Sequence, residues 1–345
     1  MAVDYDLRSA QKNAAPPKPK KKPPPASNKD GQNAALFHEH WWLKAASDGR
    51  YAEVEAREGE AVVGRLPYVV TSRYGFTQLT MPPFTHLLGP FVESGDGKHQ
   101  TMLKTRVAIV KQLIGKLPKH DFFFQICDPS CDGGLALADG LAFQECGFDV
   151  KQQYTFHIDC RNSPDALLAG MNLKARQHIR MAEKVYKVVA LDQAEPFVAF
   201  YLKCLEAKRL KPNIPLDRFA ALYAECRARN CSQVFAAFDE NGAALAMTFV
   251  VWDRRAMYYL LSVRAPDLPD RGSVNLLIWS VMQKAHDLGL RFDLDGVSTT
   301  GTAQFLSSFG GELRTRMIVT ASGRLFASLQ QAKSLLGLNT DNNFS

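Results

Sequence analysis

One order of elements runs through this chain twice, and the repetition limits the possible folds more than any single motif. In the first half, Phe37, Trp41 and Trp42 fall at helical spacing and predict a short amphipathic helix. Strands follow at 51–58 and 61–70 about a Glu58-Gly59 turn, then another at 74–80. Met81-Pro82-Pro83-Phe84 and Gly89-Pro90 make a rigid irregular loop. A helix at 99–116 places Leu103, Val107, Val110 and Ile114 on one face. A strand at 122–126, a helix around 135–146 and a strand at 149–159 complete the half.

The second half has helices at 164–186, 194–210 and 215–229, then a strand at 232–239. Asn241-Gly242, two residues that tolerate positive φ, turns it into a partner at 243–252. An apolar strand at 257–263, a helix at 273–288, a strand at 291–294, a helix at 302–309 and a strand at 312–320 follow. Equivalent elements lie roughly 165–185 residues apart, so the unit of repetition is a domain and not a solenoid repeat. Helices alternating with strands after an antiparallel hairpin predict mixed α/β sheets with helices on their faces.

Residues 14–27 alternate proline and lysine, and no packed core forms from such a run. Residues 1–33 therefore read as a disordered basic tail, with seven Lys and Arg against three Asp. Of the net charge of +7, the tail holds +4, which leaves only +3 for the rest. A mildly basic body does not argue for a nucleic-acid binder, although the tail offers a weak contact for anionic membrane or RNA. No stretch reaches the roughly 18 apolar residues that span a bilayer, and the N-terminus has no apolar signal region. The expected location is cytoplasmic, with a peripheral position at the inner face of the membrane through the tail as the variant. The seven cysteines are odd in number and irregularly spaced, which predicts free thiols. Cys127-x-x-x-Cys131 lacks a second pair at zinc spacing, and His38 and His40 point to different faces of a helix, so no metal is expected.

Chemistry is expected where a buried strand opens onto a helix N-terminus, because the first helical N–H groups there are unpaired and suit phosphate. Asp270-Arg271-Gly272-Ser273 stands in that place. Gly272 allows close approach of backbone, Ser273 is a cap for the helix, and Arg271 is a partner for phosphate. Arg176, Arg180 and Lys184 recur every four residues and form one basic stripe, with Lys174 near it. The stripe reads either as a solvated face or as a seat for an anionic substrate. Asp293 and Asp295 alternate with Phe292 and Leu294, which puts both carboxylates on one face of a short strand. Either is a candidate general base, and Tyr258 or Tyr259 a candidate proton donor. His86 lies in the proline-rich loop. There is no Walker loop, no Rossmann glycine triplet and no local nucleophile signature.

This layout resembles the acyl-CoA centre of GNAT enzymes, and its doubling resembles FemAB-like tandem-GNAT transferases of bacterial polysaccharide and envelope systems. Three stretches carry the resemblance: Lys174 to Lys184, Tyr258-Tyr259-Leu260 to Arg264 with the helix after it, and Phe292-Asp293-Leu294-Asp295-Gly296 on to Phe305, Phe309 and Gly310. Leu66-Pro67-Tyr68, Pro82-Pro83 and Gly89-Pro90 fit the first half. The resemblance implies two tandem GNAT-like domains, at 34–160 and 161–325, followed by a C-terminal helix and tail at 326–345. It implies acyl-CoA, with acetyl-CoA the simplest form, as donor co-substrate, held by Arg264, Arg271, Gly272 and Ser273. It implies Asp293, Asp295 and Tyr259 as catalytic groups and Lys174, Arg176, Arg180 and His86 as acceptor contacts. The donor is expected on the second half and the acceptor on the first. The reaction implied is acyl transfer to an amino or hydroxyl group of an envelope glycan or its precursor. The alternatives are a transferase fed by aminoacyl-tRNA and a degenerate binding module. The loop has one glycine where the family's R/Q-x-x-G-x-G/A pattern has two, and residues 211–235 leave no room for the helical arm common in the tRNA-dependent branch.

Overall fold

The structure is a computed structural model that describes residues 35–93, 97–128, 134–297 and 299–335. The tail at 1–33 and Cys131 lie outside them. The strands are β1 (Tyr51–Glu58), β2 (Ala61–Arg73), β3 (Phe76–Thr80), β4 (Phe91–Val92), β5 (Phe122–Cys127), β6 (Asp149–Asp159), β7 (Lys187–Leu191), β8 (Ser232–Phe238), β9 (Ala244–Trp252), β10 (Ala256–Arg264), β11 (Arg291–Val297) and β12 (Glu312–Ser322). The described residues divide into two compact units. One is Thr155–Arg314, and the other joins the residues up to Tyr154 with Thr315 onward. The expected boundaries at 160/161 and 325 follow chain order. In the structure each unit instead includes residues from the last strand of the other half.

In the N-terminal unit β1 pairs antiparallel with β2, β2 with β3, and β3 runs parallel to β5. Its far strand is supplied by the chain's other end, with Met317–Ser322 of β12 lying antiparallel to β5. Leu66, Leu79, Val110, Leu113, Phe123, Phe143 and Val319 share its core. The His99–Gly115 helix buries Arg106, Ile109, Val110, Leu113 and Ile114, a face turned from the one the apolar spacing predicts. The cause is Arg106, whose Nε and Nη2 donate to the two carboxylate oxygens of Asp139 at 2.7 and 2.9 Å on the Leu137–Glu145 helix. That carboxylate neutralises the guanidinium and lets an arginine occupy a core position.

In the C-terminal unit β7, β8, β9 and β10 pair antiparallel in turn, and β10 runs parallel to β11. Residues 155–159 of β6 lie next to β11. The span expected as one helix at 164–186 is two helices, Pro164–Gly170 and Leu173–Ala182. Asn172 separates them, its Oδ1 accepting from Ala175 N at 2.7 Å. Then comes β7, a strand the periodicity did not reveal, because its short Val188-Val189 run adjoins the helix without a turn signal. At the β8–β9 turn only Gly242 has positive φ, and Asp239 Oδ1 binds the Asn241 and Ala243 N–H groups instead.

Of the described free cysteines only Cys146 is exposed. Burial raises the Cys204 and Cys226 thiols above the ordinary range and takes Cys160 up to about 12. A thiol alkylating reagent at pH 8 is expected to label Cys146 in the folded protein and the five buried thiols of the described residues only after unfolding, as read by peptide mass spectrometry. The sign at high pH follows. Between about 9 and 12 the unfolded chain ionises Cys160 while the folded chain keeps the proton, so this group's contribution to stability is lost as pH rises through that window.

Candidate functional site

The site is built around the end of one ladder. The β10–β11 pairing runs from Ala256↔Arg291 through Met257↔Phe292 to Tyr258↔Asp293 and stops there, although β10 continues to Arg264 and β11 to Val297. On its other edge β10 has a register shift against β9 between Tyr259 and Leu261. Two parallel strands that part in this way leave a gap floored by the residues at the vertex. Tyr259 and Phe292 meet there edge-to-face with centroids 6.1 Å apart.

Asp293 is buried at this vertex, 2% exposed. Its Oδ1 accepts from Thr155 Oγ1 at 2.6 Å and from Asp295 N at 3.0 Å. His157 Nε2 lies 3.1 Å from its Oδ2. Asp295 has φ 72°, a left-handed conformation rare for a residue other than glycine. The pleat expected to set the two carboxylates on one face is therefore interrupted between them, and the Asp295 backbone turns its N–H back onto Asp293. Tyr259 is half-buried and its OH donates to Ser262 Oγ at 2.7 Å. Burial pushes its phenol up, against the opposing pull of bonds from Ser262 and Thr248, so at neutral pH it remains a donor. Tyr258 is buried and donates to Asp253 Oδ2 at 3.1 Å.

The loop after β10 begins the Ser273–Asp287 helix. Gly272, not Ser273, is the residue before its first turn, with φ 105°. A Cβ on Gly272 would stand 3.1 Å from the His178 carbonyl oxygen, so the glycine lets the loop press against the Leu173–Ala182 helix. The expected cap is corrected: Asp270 Oδ1 accepts from Gly272 N at 3.0 Å and from Ser273 N at 2.7 Å, whereas the Ser273 hydroxyl is buried without a hydrogen-bond partner among the described residues. Arg271 N donates to Tyr186 OH at 2.9 Å. The Arg271 side chain is exposed, as is Arg264, whose Nη1 donates to the Ala265 carbonyl at 3.2 Å.

Loop and basic helix, separate in the sequence, thus form one surface. Lys174 and Arg180 are exposed and Arg176 is half-buried, with Ala175, Ile179 and Ala182 packed inward. No carboxylate pairs with these three cations among the described residues. His86 belongs to the N-terminal unit, where it is half-buried and stacks on Phe37 at 6.0 Å. Sequence reading missed His157, Thr155 and Tyr186 as members of the site, and gave the capping role of Asp270 to Ser273. The available signal was weak: Thr155, His157 and Asp159 alternate with buried Phe156 and Ile158, a pattern many half-buried strands share. No cluster of three or more His, Cys, Asp or Glu is placed to hold a metal among the described residues. No helix among them is long and apolar enough to cross a membrane.

Residues 169–305 match the acetyltransferase (GNAT) domain family, a span that contains the splayed strands, the loop and the basic helix. Among solved structures the fold is similar to FemX, with 14% identity and a TM-score of 0.60 over 88% of this chain and 95% of that one. It is also similar to the C-terminal domain of a putative lysylphosphatidylglycerol synthetase from Agrobacterium fabrum, with 14% identity and a TM-score of 0.52 over 85% and 91% of the two chains. L-PGS from Bacillus licheniformis gives 11% identity and 0.51 over 87% and 92%. Curated protein sequences offer no match. Residues 169–305 thus carry a GNAT acetyltransferase domain, and the fold of the chain is similar to that of FemX.

Proposed function

We propose that the protein transfers an aminoacyl group from an ester-linked donor of the aminoacyl-tRNA kind to an amino or hydroxyl group of an envelope precursor. The observation that carries the donor is Asp270. A pyrophosphate on a GNAT loop needs the N–H groups at the helix start, and here the carboxylate of Asp270 takes those of Gly272 and Ser273 while the Tyr186 hydroxyl takes that of Arg271. A resident anion at the mouth of the helix both fills and repels the position of a coenzyme A pyrophosphate. The unneutralised cations of the adjacent helix suit a phosphodiester backbone, which needs charge and no dedicated cradle. The lysylphosphatidylglycerol synthetases among the similar folds carry in their name an aminoacylated lipid, which supports an envelope acceptor, lipid or glycan. The basic tail would add a weak contact to anionic membrane or RNA.

The family's usual donor, acyl-CoA, is the second reading, favoured by the match over residues 169–305. Thermal unfolding with charged tRNA and with acetyl-CoA separates the two. Ligand at 100 times its dissociation constant adds roughly 2.7 kcal/mol, or about two to four degrees for a unit of this size. Charged tRNA is expected to shift wild type, and Arg176→Glu with Arg180→Glu to abolish the shift. Acetyl-CoA is expected to shift only Asp270→Asn, in which the resident charge is gone. A shift of wild type by acetyl-CoA that Arg271→Glu removes and Lys111→Glu keeps would replace the tRNA reading with the coenzyme one. Silence with both donors would leave a binding module.

A further inference from the structure

We infer that His157 is the proton acceptor of the transfer reaction and that Asp293, one of the two carboxylates the sequence offers as the base, instead positions it. The inference rests on the acyltransferase reading of the same site. Asp293 is 2% exposed, and Thr155 Oγ1–H, the Asp295 N–H and His157 Nε2–H all donate to it. A carboxylate is the form that accepts three such bonds, and its lone pairs are already directed to them. Taking a proton from an acceptor substrate would break this set. His157 is differently placed. With Nε2–H directed at Asp293 Oδ2, Nδ1 is the unprotonated ring nitrogen, and Nδ1 has no partner among the described residues. The side chain is 11% exposed, against 3% for its carboxylate partner. The pair also stands where chemistry is expected, since Asp293 is the residue at which the β10–β11 ladder ends. A base held in one tautomer by a buried carboxylate, with its other nitrogen open, is the arrangement that general base catalysis requires.

The step balances. The amino or hydroxyl nucleophile of the acceptor forms a bond to the donor carbonyl carbon, and its proton passes to His157 Nδ1. The carbonyl carbon's bond to the donor oxygen (sulfur, for a thioester) then breaks. The leaving group takes the proton from the imidazolium and departs as an alcohol or thiol, and Asp293 holds the transient positive ring without being protonated.

The full-length protein is tested with bulk aminoacyl-tRNA and with acetyl-CoA as donors and ethanolamine, which carries both an amino and a hydroxyl group, as acceptor. His157→Ala is expected to lower kcat by roughly 10²–10⁴-fold with little change in KM or unfolding temperature. Added imidazole is expected to restore part of the rate, and Asp293→Asn to lose a comparable factor that imidazole does not restore. Retention of activity within about threefold in His157→Ala would overturn the assignment. So would a loss matched by a falling unfolding temperature and indifferent to imidazole. In parallel, ¹⁵N-histidine NMR of the free protein reads the tautomer. His157 is expected as Nε2–H in wild type and as a mixture in Asp293→Asn, and a mixture already in wild type would overturn the positioning role. If wild type consumes neither donor, the donor reading fails, and the tautomer measurement still decides whether Asp293 holds His157 as described.

Discussion

Asp139→Ala is expected to destabilise the N-terminal unit by about 3–5 kcal/mol, because it leaves a buried guanidinium without its carboxylate. Arg106 and Asp139 side chains are 7% and 2% exposed and meet through two bonds. Their attraction does not itself make the unit stable, since two charges lose hydration on burial, and an apolar pair of equal volume serves as well in many cores. The asymmetry lies in removing one partner alone. Protection of the β5 amides against hydrogen exchange is expected to fall by about 10²–10³-fold, at roughly tenfold per 1.4 kcal/mol. Replacing both residues, as Arg106→Met with Asp139→Leu, is expected to recover most of the loss. A single variant that loses under 1 kcal/mol would mean that water reaches the guanidinium.

Gly310→Ala is expected to cost about 3 kcal/mol in the C-terminal unit and to weaken donor binding. Two effects add. Gly310 has φ 83°, which costs an alanine roughly 1 kcal/mol. Its new Cβ would also stand 2.5 Å from the Gly170 carbonyl oxygen and 2.7 Å from that carbonyl carbon, atoms of backbone that move only with their segment. The same segment leads into Asn172, whose N–H donates to the Ser308 carbonyl at 2.9 Å and whose side chain starts the basic helix. Displacing it disturbs the seat of Arg176 and Arg180. Gly59→Ala is the control: with φ 59° and open space around its would-be Cβ, it is expected to lose about 1 kcal/mol. Urea unfolding that gives equal losses for the two variants would remove the steric part of the argument.

The two glycines also mark how far local sequence reaches. A Phe309-Gly310 pair after a short helix is legible as a helix end, because glycine adopts positive φ at no steric cost. That Gly170 stands against it is not legible, since nothing in either segment encodes the other's approach. The same division runs through the site. Arg271-Gly272 and the stripe of Arg176 and Arg180 are visible as patterns, because a helix start and a four-residue period are properties of a few neighbouring residues. Their union through Gly272 and His178, and the Tyr186 hydroxyl on the Arg271 N–H, are tertiary facts, whereas Asp270 caps the helix from two and three residues away. Asp293 is visible as an acidic residue on a short strand, but its partner His157 lies 136 positions away.

By itself the sequence determined the kinds and order of most elements, the mixed α/β character and the strand–loop–helix that lies within the span of the GNAT match. Those follow from periodicity and turn chemistry, which act over a few residues. Only the tertiary structure decided which residues make each unit, with 155–159 grouped with the second half and Thr315–Ser322 with the first. It alone turned Arg106 inward, added β7, and brought His157 onto Asp293. Strand partners, buried charges and hydrogen-bonded pairs are settled by burying apolar area and satisfying polar groups across long separations, and a local pattern holds no record of which distant residue will meet it.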